Sequence, residues 1–507
     1  MLVNQLNHLF REAIPALGAA RQSTHRTAPR AAVWLEREEA HIGLLILFGP
    51  EVRAFLQSGF AHKLAERYRV SVITVNPASA AFSDGRWQVH RAPEPSPSAV
   101  LQKLRGWQQG LHDAWMQRQG HARWRHELRD GVTSPRVDAG ETAHADAKVT
   151  ARFRNDHPRW LRAATLIERT WEPFAGSGKS WSRLFERLGL DCLVAADYAA
   201  PAAVDALRAA SRKNLATVVV SNSWKDVYAH PYVAAPPTCI GVTGWPEASY
   251  LCGANPHLST DRVAVVGSLH LERFLKPSGV PRRAEFCRQA GLDASRPFVC
   301  YTAAAPRAVT GEESIVETML ETIEHHRSRP QVLLRLNPRE DGERFRPLQS
   351  RFANLVLQKP CWEWDPRKDW NAPLPQDLDT WVATVQHAAF NVSIPSTVTL
   401  EFSAAGRLTL NVCFDAKPLP PEASNARFWG APFYQRIRTS SLVAGAFSER
   451  DFRELLACRL DEPGVWDLSP PRRYASPMDE AEKLVRCALA VRAKEARPVN
   501  TRRSIGD

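Results

Sequence analysis

No run of about 18 apolar residues occurs anywhere in the 507-residue chain, so no segment reads as a membrane-spanning helix. The opening stretch, MLVNQLNHLFREAIPALGAARQ, lacks a charged start followed by an unbroken apolar run, which argues against a secretory signal. Leu2, Leu6, Phe10 and Ile14 fall at helical spacing there, and a loosely docked helix is favoured over a membrane anchor. Cysteine does not occur before Cys192, and the nine that follow include no CxxC pair. An odd number scattered through apolar stretches such as VCYTA and NVCFD reads as buried free thiols in a reducing compartment and leaves no zinc site.

What is present is ordinary in amount and regular in order. Hydrophobic residues make up 44% and charged residues 24%, the balance of a globular protein. A chain of this length outgrows a single core, and two domains of about 200 residues each plus tails are expected. Net charge is +12. Part of the excess lies between Lys103 and Arg162, where Trp107, Trp115, Trp124 and Trp160 alternate with Arg118, Arg123, Arg125, Arg129, Arg152, Arg154 and Arg159. Nucleic acid, anionic lipid and acidic polysaccharide are chemically compatible with such a stretch. A solvated helical insertion whose tryptophans pack on the parent domain is the favoured reading, and nucleic acid is not expected.

Read along the chain, residues 1–40 are mixed, basic and peripheral. HIGLLILF (from His41) suits a buried parallel strand, broken by Gly49-Pro50; a helical stripe with Phe55, Phe60 and Leu64 follows, then the strand RVSVITVNP. Residues from about 95 to 165 form a basic insertion, helical at first and then polar. CLVAADY, ATVVVSNSW, TCIGVTG and RVAVVGS are further strands, completing a first Rossmann-like domain over 41–262. From Pro281 the alternation restarts: FVCYTAA, QVLLRLN, NLVLQKP, FNVSIP and LTLNVCF read as strands separated by helices. This second domain spans 263–475, and a closing helix and tail occupy 476–507. The fold class is α/β, with two Rossmann-like domains facing across a cleft.

Ligands in open parallel sheets bind beyond the carboxyl ends of the strands. In SIPSTVTLEFSAAG a strand ends at Ser393 and a helix is expected from Ser396, so Ser396 and Thr397 would offer free amides and hydroxyls to a phosphate. Glu401, about one turn on, could accept both hydroxyls of a ribose. Asn337 and Arg339 close the next strand, and Arg307 follows YTAAAP, where small residues let a nucleotide approach. For each arginine taken singly, a surface charge is the plainer reading. Asp377 and Asp379 form an Asp-x-Asp at an expected helix start, which reads as N-capping, so no essential divalent ion is expected.

Two ordered stretches carry a family resemblance. SNSWKDVYAHP, CIGVTGWPEASYLCG and DRVAVVGSLHLERF resemble a "SWDN" segment followed by "erVxVvGspxxD"; FVCYTAA, LLRLNPR and NVSIPSTVTLEFSAAGRLTLNV resemble "vlyt … irxHPr … vxSxxSTxxlEaaxxgkPxi". Together they cover about half the chain and are similar to the GT-B superfamily branch of bacterial surface-carbohydrate glycosyltransferases, CDP-glycerol glycerophosphotransferases and UDP-N-acetylglucosamine 2-epimerases. The resemblance implies a nucleotide-activated sugar donor bound mainly by the second domain, as a substrate rather than a cofactor. It places Ser396 and Thr397 at the phosphate, Glu401 at the ribose, Gly267 at the domain junction, and Ser223, Trp224 and Asp226 in the "SWD" cluster. The chain departs from the pattern in having Asn337 for the usual His, Ser-Trp-Lys-Asp for "SWDN", and His270 and Glu272 where an Asp is usual.

The base that deprotonates an acceptor hydroxyl is expected in the first domain, from Glu51 or Asp226, with His230 as a further candidate. The function expected is a metal-independent glycosyltransferase or polyol-phosphate transferase of bacterial surface polysaccharide synthesis, acting on a glycan or lipid-linked acceptor. The competing readings are a nucleotide-sugar epimerase or hydrolase, which needs no acceptor, and a non-catalytic binding protein. A cytoplasmic location is expected, with peripheral contact at an anionic inner membrane face as an open alternative.

Overall fold

The computed structural model describes residues 40–82, 84–94, 99–118, 157–171, 177–306, 308–365, 370–421, 423–462 and 476–495. The expected N-terminal helix, the polar loop of the insertion with Trp124, Arg123, Arg125, Arg129, Arg152 and Arg154, and Arg307 lie outside the described residues.

Strand β1 (His41–Ile46) is buried along its whole length, as a parallel strand covered on both faces must be. It pairs with β2 (Arg69–Thr74) on one side and β4 (Cys192–Ala195) on the other. β3 (Gln88–Arg91) flanks β2, and β5 (Ala216–Val220), β6 (Cys239–Val242) and β7 (Val263–Val265) extend the other edge. The order is β3-β2-β1-β4-β5-β6-β7, all parallel. The second sheet runs β10-β9-β8-β13-β14-β15, again parallel. Its strands are β8 (Phe298–Thr302), β9 (Gln331–Arg335), β10 (Leu355–Gln358), β13 (Phe390–Ser393), β14 (Leu408–Val412) and β15 (Val443–Ala446). Both sheets therefore reverse strand order at their first strand, the Rossmann arrangement, and each opens a ligand crevice there. The fold is the expected α/β pair of Rossmann-like sheets. No described helix is long and apolar enough to cross a membrane.

Three features tie the two lobes together. An antiparallel hairpin, β11 (Trp362–Asp365) and β12 (Trp370–Pro373), leaves the second lobe and buries Trp370 and Ala372 in the core of the first. The helix Pro477–Glu495 returns from the chain's end to lie against β4, β5 and β6 of the first sheet. Between them, Gly267 takes a left-handed φ of 82°, and a Cβ there would meet Pro477 at 3.1 Å. The junction glycine of the sequence reading is thus required twice over, by conformation and by contact.

The described residues of the insertion form a pair of packed helices, Ala99–Arg118 and His157–Trp171. Its described arginine, Arg105, is not a solvated charge. It bonds Glu168 at 2.7 Å and also Asp205 on the neighbouring helix, clamping the insertion to its lobe.

The Asp-x-Asp is resolved into two unlike residues, and capping is not the role of either. The helix cap is Leu374. Asp377 is buried and accepts from Arg335 (2.7 Å), Cys361 N–H (2.6 Å) and Trp362 Nε1–H (2.8 Å), so it pins the hairpin to the second sheet. Asp379 pairs on the surface with Arg273.

At Gly49 the lobes approach backbone to backbone: a Cβ there would fall 1.9 Å from the Asn371 carbonyl oxygen of the hairpin. Neither backbone can retreat without opening the seam. Gly49→Ala is expected to cost about 3 kcal/mol, at the upper end of overpacking effects, read as a lower denaturant midpoint. An unchanged midpoint would show that the hairpin does not seat there.

Candidate functional site

The carboxyl ends of the two sheets meet along one seam. On the second-lobe side, β13 ends at Ser393 and Pro395 turns the chain. The helix then opens at Val398 rather than at Ser396: Thr397 is its N-cap and the span is Val398–Ala404. The entry is a tightened turn, with Ser396 O accepting Thr399 N–H at 3.1 Å and Thr397 O accepting Leu400 N–H at 3.0 Å, so the α-helical bonds begin later. Ser396 and Thr397 are half-buried in the preceding bend.

Glu401 lies on that helix with 2% of its surface exposed. One carboxylate oxygen accepts Trp381 Nε1–H at 2.6 Å; the other accepts Arg53 of the first lobe at 2.8 Å. His270 Nε2 stands 3.8 Å from the same oxygen, while its Nδ1 is 2.8 Å from Ser268 Oγ. Burial holds His270 neutral, its pKa down to about 4 despite the Glu401 charge, and its buried Nε2 has no hydrogen-bond partner. Arg53 is delivered by a π-helical turn, Arg53–Gln57, directly after the short helix Gly49–Val52 that follows β1. Neither Arg53 nor Trp381 was legible in the sequence as a partner of Glu401, since they lie 348 and 20 residues away.

Opposite, three carboxylates follow three adjacent strands of the first lobe. Glu51 follows β1, Asp197 follows β4 and Asp226 follows β5. Glu51, 3% exposed, uses one oxygen to accept the N–H groups of Leu47 (2.6 Å) and Phe48 (3.0 Å). Burial, with repulsion from Asp197, pushes its carboxyl up to about 8. Asp197 is spent on the amides of Ala199 (2.5 Å) and Ala200 (3.1 Å). Asp226 opens the short helix Asp226–Ala229 and accepts from Ser223 N–H at 2.7 Å. It is only half-buried, yet desolvation pushes it up to about 7 against the pull of Lys225. Asp197 escaped the sequence reading; its one signal was its place at the end of CLVAAD.

His230 caps the helix Asp226–Ala229, and its carbonyl accepts Tyr198 O–H at 2.7 Å. The loop after β5 crosses the seam. Trp224 packs on Phe433 (centroids 5.2 Å) and Tyr434 (5.4 Å), and Tyr434 O–H reaches Thr399 (2.7 Å) and Asn411 (2.9 Å) behind the Ser396 bend. Asp226 and Glu401 therefore belong to facing walls of one seam.

The other sequence candidates are more peripheral. Asn337 is half-buried and closes a local turn, its Oδ1 accepting Arg339 N–H at 3.1 Å. Arg339 is exposed, its guanidinium 5.9 Å from the Trp364 ring. The β8–β9 end of the second lobe is instead filled by Glu312, Arg344 and Glu340, with Tyr301 O–H on Glu312 at 3.1 Å and Arg344 on Glu312 at 2.7 Å. Burial lifts Glu312 to about 7.

No family model matches the chain, and no curated protein matches it in sequence. Among solved structures it is similar to UDP-GlcNAc 2-epimerase from Neisseria meningitidis, at 11% identity and a TM-score of 0.49, over 89% of this chain and 100% of that one. It is also similar to UDP-GlcNAc 2-epimerase from Methanocaldococcus jannaschii, at 11% identity and a TM-score of 0.48, over 88% of this chain and 99% of that one. The glycotransferase of kitacinnamycin matches at 11% identity and a TM-score of 0.43, over 90% of this chain and 96% of that one. Likeness at these values says nothing of the reaction.

The raised Glu51 carboxyl makes a stability prediction. The folded state holds this proton up to a pH of about 8, whereas the ordinary value is 4.5, so the folded state binds more protons across that window. Folding stability should fall as pH rises from about 4.5 to about 8. Glu51→Gln, which can still accept both backbone N–H groups, should flatten that slope in urea unfolding. A wild-type slope unchanged in the variant would place the titration elsewhere.

Proposed function

We propose that the chain is a GT-B nucleotide-sugar enzyme that transfers a sugar, or a polyol phosphate, to a bacterial surface glycan or its lipid-linked precursor. The observation that carries this reading is the pairing of facing walls: a buried carboxylate beside a strand-end bend on the second lobe, and a proton-holding carboxylate on the first. The motif resemblance assigns the second-lobe wall to the donor.

In this reading the amides and hydroxyls of Ser396 and Thr397 take charge from the leaving diphosphate as it develops. Glu401 holds the pentose with the oxygen that Arg53 now occupies, so donor entry displaces Arg53. Asn337 and Arg339 lie at the outer rim of the donor side. Asp226 accepts the proton of the acceptor hydroxyl, because its carboxylate keeps solvent contact and a pKa suited to exchange near neutrality. Glu51, with one oxygen fixed on two amides, positions the loop after β1 and keeps the floor of the first lobe protonated.

One observation favours a second reading. Two carboxyls with raised values on one wall, Glu51 and Asp226, are what removing and returning a proton on the donor alone would use, as in an epimerase.

A thermal-shift screen against UDP-, GDP-, CDP- and CMP-sugars tests the donor assignment, since a ligand of the folded state raises the melting temperature. One nucleotide class is expected to stabilise the protein. Glu401→Gln is expected to weaken that ligand by about 10-fold or more, the loss of charged hydrogen bonds, and Ser396→Ala less. No stabilisation by any of the panel would remove the nucleotide reading. With the donor known, the rate should rise with pH through about 7 as Asp226 ionises. Asp226→Asn should lose about 100-fold or more in turnover, the lower range for a lost general base, with donor binding kept. Turnover of the donor with no acceptor present would decide for the epimerase or hydrolase.

A further inference from the structure

The turn after β5 carries more hydrogen-bond donors than the protein can satisfy. Ser223 Oγ and Trp224 Nε1 are both buried and have no hydrogen-bond partner among the described residues. Buried donors are partnered in the great majority of cases, so two orphans on consecutive residues require an explanation. The third residue is Lys225. It is half-buried, no described acceptor pairs with its ammonium, and burial lowers its pKa against the pull of Asp226. By contrast Arg53, Arg105, Arg208, Arg335 and Arg344 each contact a carboxylate, and the buried Arg407 donates to the Gln386 carbonyl.

The turn's position says where the missing acceptor belongs. It sits at the carboxyl end of β5, and the Trp224 ring lies on Phe433 and Tyr434 of the facing lobe. Tyr434 in turn holds Thr399, three residues beyond Ser396. The turn therefore flanks the place where the group next to the donor phosphates would lie, on the first-lobe side. Asp226 turns its Oδ2 to Ser223 N–H and, at 3.5 Å, to Ser221 O–H, and among the described residues it makes no hydrogen bond to Ser223 Oγ, Trp224 Nε1 or the Lys225 ammonium.

We infer that Ser223, Trp224 and Lys225 form a subsite for an anionic group, a carboxylate or phosphate, carried by the sugar that is transferred or by the acceptor that receives it. This rests on the nucleotide-sugar reading above and specifies its substrate class. A neutral sugar hydroxyl could bond Ser223 or Trp224, but it would leave the Lys225 ammonium without a compensating charge. An anion accepts from all three donors and restores the charge that burial makes unfavourable. The position is also one where the sequence departs from the resembled motif, with Lys225 standing where "SWDN" has Asp.

The test compares matched pairs on the full-length protein by titration calorimetry. UDP, GDP and CDP alone first establish which base binds. The donor arm then sets UDP-glucuronate against UDP-glucose, or GDP-mannuronate against GDP-mannose. The acceptor arm sets digalacturonate against digalactose with the nucleoside diphosphate present. In one arm the acidic member should bind about 10-fold or more tightly, the worth of a charge-assisted hydrogen bond. Lys225→Gln should bring that ratio to about 1 by the same measure, and Lys225→Arg should keep most of it. Trp224→Phe, which preserves the packing on Phe433, should reduce it in part. A ratio near 1 in both arms of the wild type, or one untouched by Lys225→Gln, overturns the subsite. Failure of all three nucleoside diphosphates to bind is a different result: it strikes the nucleotide reading and removes the subsite with it.

Discussion

The seam between the lobes depends on how one buried charge is compensated. Glu401 is almost fully removed from water, and an isolated carboxylate in that position would be prohibitively costly. Trp381, from its own lobe, satisfies one oxygen permanently; the other is satisfied from across the seam by Arg53. His270 does not share the task, because its Nε2 stands 3.8 Å from that oxygen, beyond hydrogen-bond reach. The lobes are thus held in register by a charge that must be answered. Moving them apart either admits water to Glu401 or requires a ligand whose hydroxyls replace the guanidinium. A pentose would do so without leaving the carboxylate unpaired, and it would free Arg53 in the same step. Lobe position and occupancy are then two descriptions of one equilibrium.

Apolar packing restrains that equilibrium on either side. One continuous core joins Trp224, Tyr228 and Val233 of the first lobe to Phe433, Tyr434 and Ile437 of the second. Another takes in Trp370 and Ala372 from the hairpin together with Val485 and Ala488 from the final helix. The polar contact at Glu401 lies between these two apolar hinges, with Gly267 and Pro477 at the crossing of the chain. Glu272 locks that crossing by accepting Ser476 O–H at 2.7 Å and Met478 N–H at 3.3 Å. This explains why the segment SLHLERF differs from the resembled motif without disorder at the junction: its Glu serves the returning chain, and its His faces the seam.

The alternation of strands and helices was legible because parallel strands buried on both faces read as unbroken apolar runs. QVLLR, LTLNV and ATVVV could hardly be anything else. What escaped were elements whose sequence does not state their burial. QVHR at a sheet edge, WEWD and WNAP in the hairpin, and VAGA in β15 lack such runs, and tertiary contacts decide them. The final helix was visible as a helix, but amphipathicity does not name the surface it covers. Of the site, the strand-end positions of Glu51, Asp226 and Glu401 followed from topology alone. Arg53, Trp381 and Asp197 did not, because nothing local marks a residue whose partner is supplied by another lobe or another strand.

The same physics that hides those partners gives the first lobe its chemistry. Three carboxylates on neighbouring strand ends cannot all remain ionised away from water. The protein resolves this by spending Asp197 on two backbone amides and burying Glu51 deeply enough to keep its proton. Asp226, with more solvent and with Lys225 beside it, is left near the balance between its two states. An anion arriving at the turn would cancel the ammonium's pull on Asp226 and raise its hold on a proton. A neutral ligand would leave that pull in place and Asp226 the weaker base. Whether Asp226 takes a proton or gives one is therefore coupled to the charge of what binds beside it, through a single lysine.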